Sequence, residues 1–168
     1  SRIQSILGNL SNIIYARKCS VKIVPNKECS EFLIKNHMQG NDSSSIKLGL
    51  YHNEILLSVM TFGGFRKCMG NKSIKNYYEM YRFCSKLNYS VIGGASKLLS
   101  YFIKTYNPEK IISYADRRWS NGHLYEKIGF TPLSTSRPSY FYTSDYLIRY
   151  YRFNFRKSEL IKKLQTYD

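Results

Sequence analysis

The sequence predicts an α/β (α+β) fold, with one mixed central sheet flanked by helices. Three observations lead there. Segments of period two and period 3.6 follow one another as strand, helix, hairpin, strand, glycine loop, helix, strand, helix and then strands. At 168 residues the chain has the length of one domain, and 43% hydrophobic residues suffice for a core. One strand also runs through Gly93-Gly94 straight into an amphipathic helix.

The elements follow in order. Ile3, Ile6, Leu7, Leu10, Ile13 and Ile14 recur at helical spacing, interrupted at Gly8, so residues 1–14 read as a linker or leader helix. Cys19, Val21 and Ile23 alternate with polar residues, which predicts a strand over residues 18–24. Pro25-Asn26 punctuates it, with Asn26 as the cap of a helix reaching His37. GNDSSS, residues 40–45, is a loop. Ile46, Leu48 and Leu50 alternate up to a His52-Asn53-Glu54 turn, and Ile55, Leu57, Val59 and Thr61 return as the second arm of a hairpin. A basic loop over residues 65–76 precedes a strand at residues 77–85 and a glycine-bearing loop at residues 88–96. Leu98, Leu99, Phe102 and Ile103 share one face of a helix over residues 97–106, which Asn107-Pro108 ends. Residues 111–115 read as a short buried strand, and residues 121–128 as a helix closed by Gly129. Aromatic-rich strands near residues 139–142 and 147–155 complete a principal domain of residues 15–157. A basic helix or tail, residues 158–168, finishes the chain.

Charge narrows the partners. Lys and Arg number 26 against 11 Asp and Glu, a formal net charge of +15. That excess points to nucleic acid, with an anionic membrane surface behind it. No apolar run approaches the ~18 residues of a membrane span, so no membrane partner is expected. The 16 tyrosines can stack on bases beside phosphate contacts, or serve as ordinary half-buried strand residues. The four cysteines are widely spaced, with no C-x-x-C pair, so no metal site is expected and a reducing, cytoplasmic setting fits.

Ile92, Gly93, Gly94, Ala95 and Ser96 lead into the helix that begins near Lys97. Small residues at a helix start let its free N–H groups approach a phosphate, which the helix dipole favours, and Lys97 adds a point charge. A tight turn with no ligand explains the same residues. Residues 81–130 resemble the core of the GNAT acetyltransferases, whose pyrophosphate loop has the form Q/R-x-x-G-x-G/A. Ser90-Val91-Ile92-Gly93-Gly94-Ala95 matches its G-x-A part, with Ser90 where the family usually places Gln or Arg. SYADRRWSNGHLYEKIGF, residues 113–130, resembles the family's next strand and its Y-E-K-x-G-F helix ending. The resemblance implies acetyl-CoA, or another acyl-CoA, at Ser90 and Ile92–Lys97. It also implies Tyr125 as the acid that protonates the departing thiolate, and a cofactor contact at Asn121, which lies closer to Tyr125 than the family's asparagine does.

IIYARKCSVK, FLIKNHMQG, LGLYHNEILLSVMTFG and YRFCSKLNYSVIGGASKLL, with residues 113–130, resemble the Mom-like domain of phage proteins. That domain also stands at the C-terminus of phage homing endonucleases, and the resemblance covers roughly residues 13–157. It implies an infected bacterial cytoplasm, DNA as partner, modification of adenine by a GNAT-like enzyme, and an upstream nuclease domain of the same polypeptide. The start at Ser1 rather than Met fits an excised piece.

Three side chains could carry chemistry. His37 ends the first helix beside a loop, where it serves as a base or simply as a histidine against the dipole. Asp116 ends a strand at the carboxyl edge of the sheet, where it orients an amine or pairs with an arginine. Tyr125 stands as above. Three basic clusters supply DNA contacts: Arg66 and Lys67; Arg117 and Arg118 beside Trp119; and Arg149, Arg152, Arg156 and Lys157, with aromatics on the opposite strand face. The expected function is acetyl-CoA-dependent modification of a DNA base amine. The alternatives are a non-catalytic DNA-targeting module of a homing endonuclease and a small-amine or protein N-acetyltransferase.

Overall fold

The computed structural model describes residues 12–65, 74–136, 138 and 140–165. They form two compact units that divide between Thr131 and Pro132. Arg66 and Lys67 lie outside the described residues, as do residues 1–11 of the expected leader helix.

The first unit is built on a five-stranded sheet. In chain order its strands are β2 (Ser20–Ile23), β3 (Ile46–His52), β4 (Ile55–Gly64), β5 (Tyr77–Ser85) and β7 (Lys110–Ser113), and they neighbour one another in that order. The first three pairings are antiparallel and β5–β7 is parallel, so the sheet is mixed, as expected. The β3–β4 hairpin turns on Asn53 and Glu54, both left-handed at φ 47° and 59°. Two positive φ values in a two-residue loop give the twist that antiparallel strands need.

One helix covers each face. Helix α1 (Asn26–Asn36) buries Cys29, Phe32 and Leu33 against Val24, Leu56 and Val59. Its N-cap is Pro25, and no side chain caps it, in contrast to the expected role of Asn26. Helix α2 (Gly94–Tyr106) buries Leu98, Leu99 and Phe102 against Leu48, Leu50, Met60 and Phe62. Phe102 stacks on Phe62 with ring centroids 3.6 Å apart and meets the Tyr78 ring edge-on at 5.2 Å. Between its two faces β4 is buried from Leu56 to Gly63, which makes it the spine of the unit.

Two further strands lie where the sequence suggested other structure. Asn12–Tyr15 is a strand, β1, paired in parallel with β6 (Tyr89–Ile92). The helical spacing of Ile13 and Ile14 misleads there, because β-branched and aromatic residues with a partner strand favour the extended state. The expected loop at residues 88–96 is accordingly β6 followed by the first turn of α2. Strand β7 is half-buried rather than buried. Helix α3 (His123–Lys127) is shorter than expected, bounded by Gly122 at φ 93° and Gly129 at φ 96°.

The second unit holds two-residue strands β8 (Phe141–Tyr142) and β9 (Tyr150–Tyr151), a 3₁₀ turn at Arg152–Phe155, and helix α4 (Lys157–Leu164). The expected strand through residue 155 gives way to that turn. Side chains three apart eclipse in a 3₁₀ turn. Arg156 thereby stands 3.6 Å over the Phe153 ring, and Arg152 lies over both Phe153 and Tyr140. Basic and aromatic residues are therefore stacked together, not segregated on opposite faces. No helix of the described residues is long and apolar enough to cross a membrane.

Phe102→Ala is expected to lower the unfolding free energy by about 3–5 kcal/mol in urea titrations, because it removes a fully buried ring from between Phe62 and Tyr78.

Candidate active site

The sheet opens beside its most buried strand. The β4–β5 register shifts between Thr61↔Arg82 and Phe62↔Met80, so Tyr81 is the extra residue of a bulge on β5. Strand β7 pairs only with Tyr77–Met80, ending at Ser113. The two parallel strands part where β5 bulges, because a bulge bends its own strand and disrupts the ladder. Residues 114–130 continue from the far side of that opening.

Gly93 stands at the start of α2 with φ 77°, a left-handed conformation that only glycine adopts cheaply. The first helical bond runs from Lys97 N–H to Gly93 C=O at 3.0 Å, and no side chain caps the turn. The positive end of the helix therefore faces a shallow pocket of about 440 Å³. Its walls are Ile92, Gly93, Ser96, Lys97 and Ser100 on one side, with Tyr15, Ala16 and Arg17 on the other.

This pocket divides the eight residues expected to hold a cofactor. Ile92, Gly93, Ser96 and Lys97 line it; Ser90, Gly94, Ala95 and Asn121 do not. Ser90 is half-buried in β6, opposite Ile13. Gly94 and Ala95 are buried, and a Cβ on Gly94 would come within 3.2 Å of Val91 and 3.3 Å of Leu50. The glycine at position 94 thus serves packing. Asn121 sits in the turn before α3, its side-chain oxygen accepting the His123 N–H at 3.3 Å.

Lys97 is a clamp. Its ammonium donates to the carbonyls of Ala16 and Cys19, at 2.9 and 2.5 Å, and so holds the 3₁₀ turn Ala16–Lys18 against α2. The exposed cation of the pocket is Arg17, whose guanidinium lies 5.0 Å over the Tyr15 ring. Sequence reasoning missed Arg17 and Tyr15. No local signal joins them to a helix whose lysine binds the Ala16 carbonyl from 81 positions away.

The chemistry-bearing residues fall in separate places. After β7, Asp116 accepts three hydrogen bonds from Arg118: Nε and N–H on Oδ1 at 3.0 and 3.1 Å, and Nη2 on Oδ2 at 2.6 Å. Those bonds hold its carboxyl below the usual carboxylate range. Of the two roles open to Asp116, the structure displays the arginine pair. Beside it, Arg117 is exposed and Trp119 is 51% exposed. Tyr125, on α3, is half-buried; its hydroxyl donates to the Tyr114 carbonyl at 3.4 Å, and its ring meets Phe130 edge-on. Among the described residues no hydrogen bond or ion pair joins His37 to Asp116 or Tyr125. His37 Nδ1 accepts the Gln39 N–H at 3.1 Å, which leaves Nε2 carrying the proton of the neutral ring. In that tautomer the Nδ1 lone pair is engaged by the backbone and Nε2–H is the ring's donor.

Burial, then the Arg82 charge, push the His37 pKa below 6.5, against an opposing pull from Asp42. Between the lowered value and 6.5 the unfolded chain binds the extra proton, so stability falls as pH drops through that window and levels off below it. Thermal melts from pH 7.5 to 4.5 are expected to show this loss, and His37→Gln to flatten that part of the profile.

The comparisons with known proteins agree with this architecture. The Mom protein family matches residues 18–163. No curated protein matches the chain. Among solved structures, a ribosomal-protein-alanine N-acetyltransferase from Brucella melitensis biovar Abortus 2308 superposes with a TM-score of 0.53 at 17% identity, covering 73% of this chain and 99% of that one. A GNAT-family acetyltransferase from Streptococcus pneumoniae TIGR4 gives 0.53 at 11% identity, with coverages of 76% and 98%. A transcriptional regulator from Bacillus halodurans C-125 gives 0.52 at 12%, with coverages of 73% and 99%. At such identities the shared property is the fold, that of the GNAT acetyltransferases. The match over residues 18–163, most of both units, decides the family: the chain belongs to the Mom protein family.

Proposed function

We propose that this chain is an acyl-CoA-dependent, GNAT-type transferase acting on an amine of a DNA base, in a phage setting. The observation that carries the reading is the uncapped N-terminus of α2, opened by left-handed Gly93 and flanked by Arg17. A helix end with no side-chain cap and a nearby guanidinium suits a pyrophosphate. Gly93, Ser96 and Arg17 would hold it. Acyl-CoA, when bound, supplies an activated thioester carbonyl. Across the sheet opening, Tyr125 offers a hydroxyl at the end of the parted strands and would donate a proton there. DNA would meet the exposed Arg117 and Trp119, and the basic aromatic surface of Arg149, Arg152, Arg156 and Lys157. An upstream nuclease in the same polypeptide would place the domain on its target.

One observation favours a second reading, a non-catalytic DNA-targeting module. Asp116 is paired with Arg118 through three hydrogen bonds, and Nδ1 of neutral His37 is engaged by the Gln39 N–H, so both expected bases already have partners.

Calorimetric titration with acetyl-CoA separates the two. Saturable binding, weakened about tenfold in Arg17→Ala by loss of one charge-assisted contact, is expected for the transferase. Undetectable binding with salt-sensitive DNA binding intact would leave the targeting module. Tyr125→Phe is expected to lower kcat with little change in KM for acetyl-CoA, since the hydroxyl acts only as charge develops. For DNA, Arg117→Ala is expected to weaken duplex binding and reduce the slope of log K against log salt by ~0.9. An unaltered slope would move the DNA face elsewhere.

A further inference from the structure

A second pocket lies on the α1 side of the sheet, apart from the residues assigned above. It holds about 330 Å³ and is walled by Asn26, Asn41, Asp42, Ser44 and Lys47, with Ser43 and Ser45 between them. Its polar groups are unbalanced in a definite direction. Lys47 is only 8% exposed, yet among the described residues its ammonium donates to a single group, the Ser44 carbonyl, and has no ion pair. A buried cation without a counter-charge is costly. Ser44 is 5% exposed, and its hydroxyl is buried in the same wall with no hydrogen-bond partner. Unsatisfied buried hydroxyls are uncommon in folded proteins and call for a partner. Asn26 opens α1, an 11-residue helix that no side chain caps, so the positive end of its dipole adds to both.

The carboxylate in that wall is turned to other partners and forms no ion pair with Lys47. Asp42 Oδ1 accepts the Ser44 N–H at 2.8 Å, and Oδ2 accepts the Thr61 hydroxyl at 2.6 Å. Glu28, in the first turn of α1, accepts instead from the Tyr51 hydroxyl at 3.0 Å. Donors in that wall therefore remain unspent: two N–H bonds of Lys47, the Ser44 hydroxyl and the first N–H groups of α1.

We propose that this pocket binds a phosphate-class oxyanion, held by Lys47, the Ser44 hydroxyl and the N-terminus of α1. The site is independent of the acyl-CoA reading, since it shares no residue with the pocket at Gly93. Its occupant is a free phosphate or phosphomonoester, or one diester of a DNA backbone; the binding chemistry is the same.

The test is an ¹⁵N NMR titration of the whole chain with inorganic phosphate, ionic strength held constant with chloride. Saturable shifts are expected at the amides of Asn26, Lys27, Glu28 and Ser44. Ser44→Ala should weaken them about tenfold, the loss of one hydrogen bond to a charged group. That variant keeps the fold, because it deletes a hydroxyl that bonds to nothing. Arg17→Ala should leave these shifts unchanged, which separates the site from the α2 pocket. No saturable shift at these amides, or equal affinity in Ser44→Ala, overturns the proposal. A short DNA duplex added in place of phosphate identifies the source. A backbone diester moves the same amides and is displaced by phosphate; a free phosphate or monoester site ignores the duplex.

Discussion

The seat of α2 on the central sheet governs the first unit. Phe102 lies flat on Phe62, and Leu98 and Leu99 fill the space toward Leu48 and Leu50. Because that face is fully buried, the helix cannot slide, and its first turn is held against Val91 and Leu50 through Gly94. A larger residue there would lift the turn away from the sheet. Gly93 then turns the chain through a left-handed conformation, and Lys97 ties the N-terminal 3₁₀ turn to the same helix. Ordinary packing thus positions Arg17 beside an uncapped helix end.

The second constraint is the parting of β5 from β7. A parallel pair needs evenly spaced bonds, and the bulge at Tyr81 ends that spacing after Met80. The turn after Ser113 then carries Asp116, Arg118 and Trp119, with α3 and Tyr125 beyond. Asp116 is spent on Arg118, which orders that turn and leaves Arg117 and Trp119 facing outward. The Tyr125 hydroxyl, on α3, donates instead to the backbone carbonyl of Tyr114.

The net charge of +15 is not a uniform coat. Lys97 binds two carbonyls, Arg118 binds a carboxylate, Lys47 is buried in a polar wall, and Arg152 and Arg156 lie over aromatic rings. Each has a structural task, and a guanidinium on a ring still keeps its outer N–H groups for an anion. The high tyrosine content follows the same division: Tyr78 and Tyr106 pack around Phe102, whereas Tyr140, Tyr142 and Tyr151 remain exposed in the second unit.

Much of the fold was legible because it rests on short-range pattern. The β3–β4 hairpin, the limits of β5, the apolar face of α2 and the glycine punctuation at Gly93 and Gly129 all follow from alternation, helical spacing and turn chemistry within a few residues. The mixed sheet and the family resemblance follow from their order. Other features depend on partners far away in sequence. The segment at Asn12–Tyr15 becomes a strand only because β6 lies beside it, and Lys97 becomes a clamp only because Ala16 and Cys19 present carbonyls to it. Gly94 proves to be a packing residue, Arg17 a pocket residue, and Asp116 a paired one, for the same reason. Sequence specifies what each side chain is able to do; burial and the groups that tertiary contact brings within 3 Å decide which of those capacities is used.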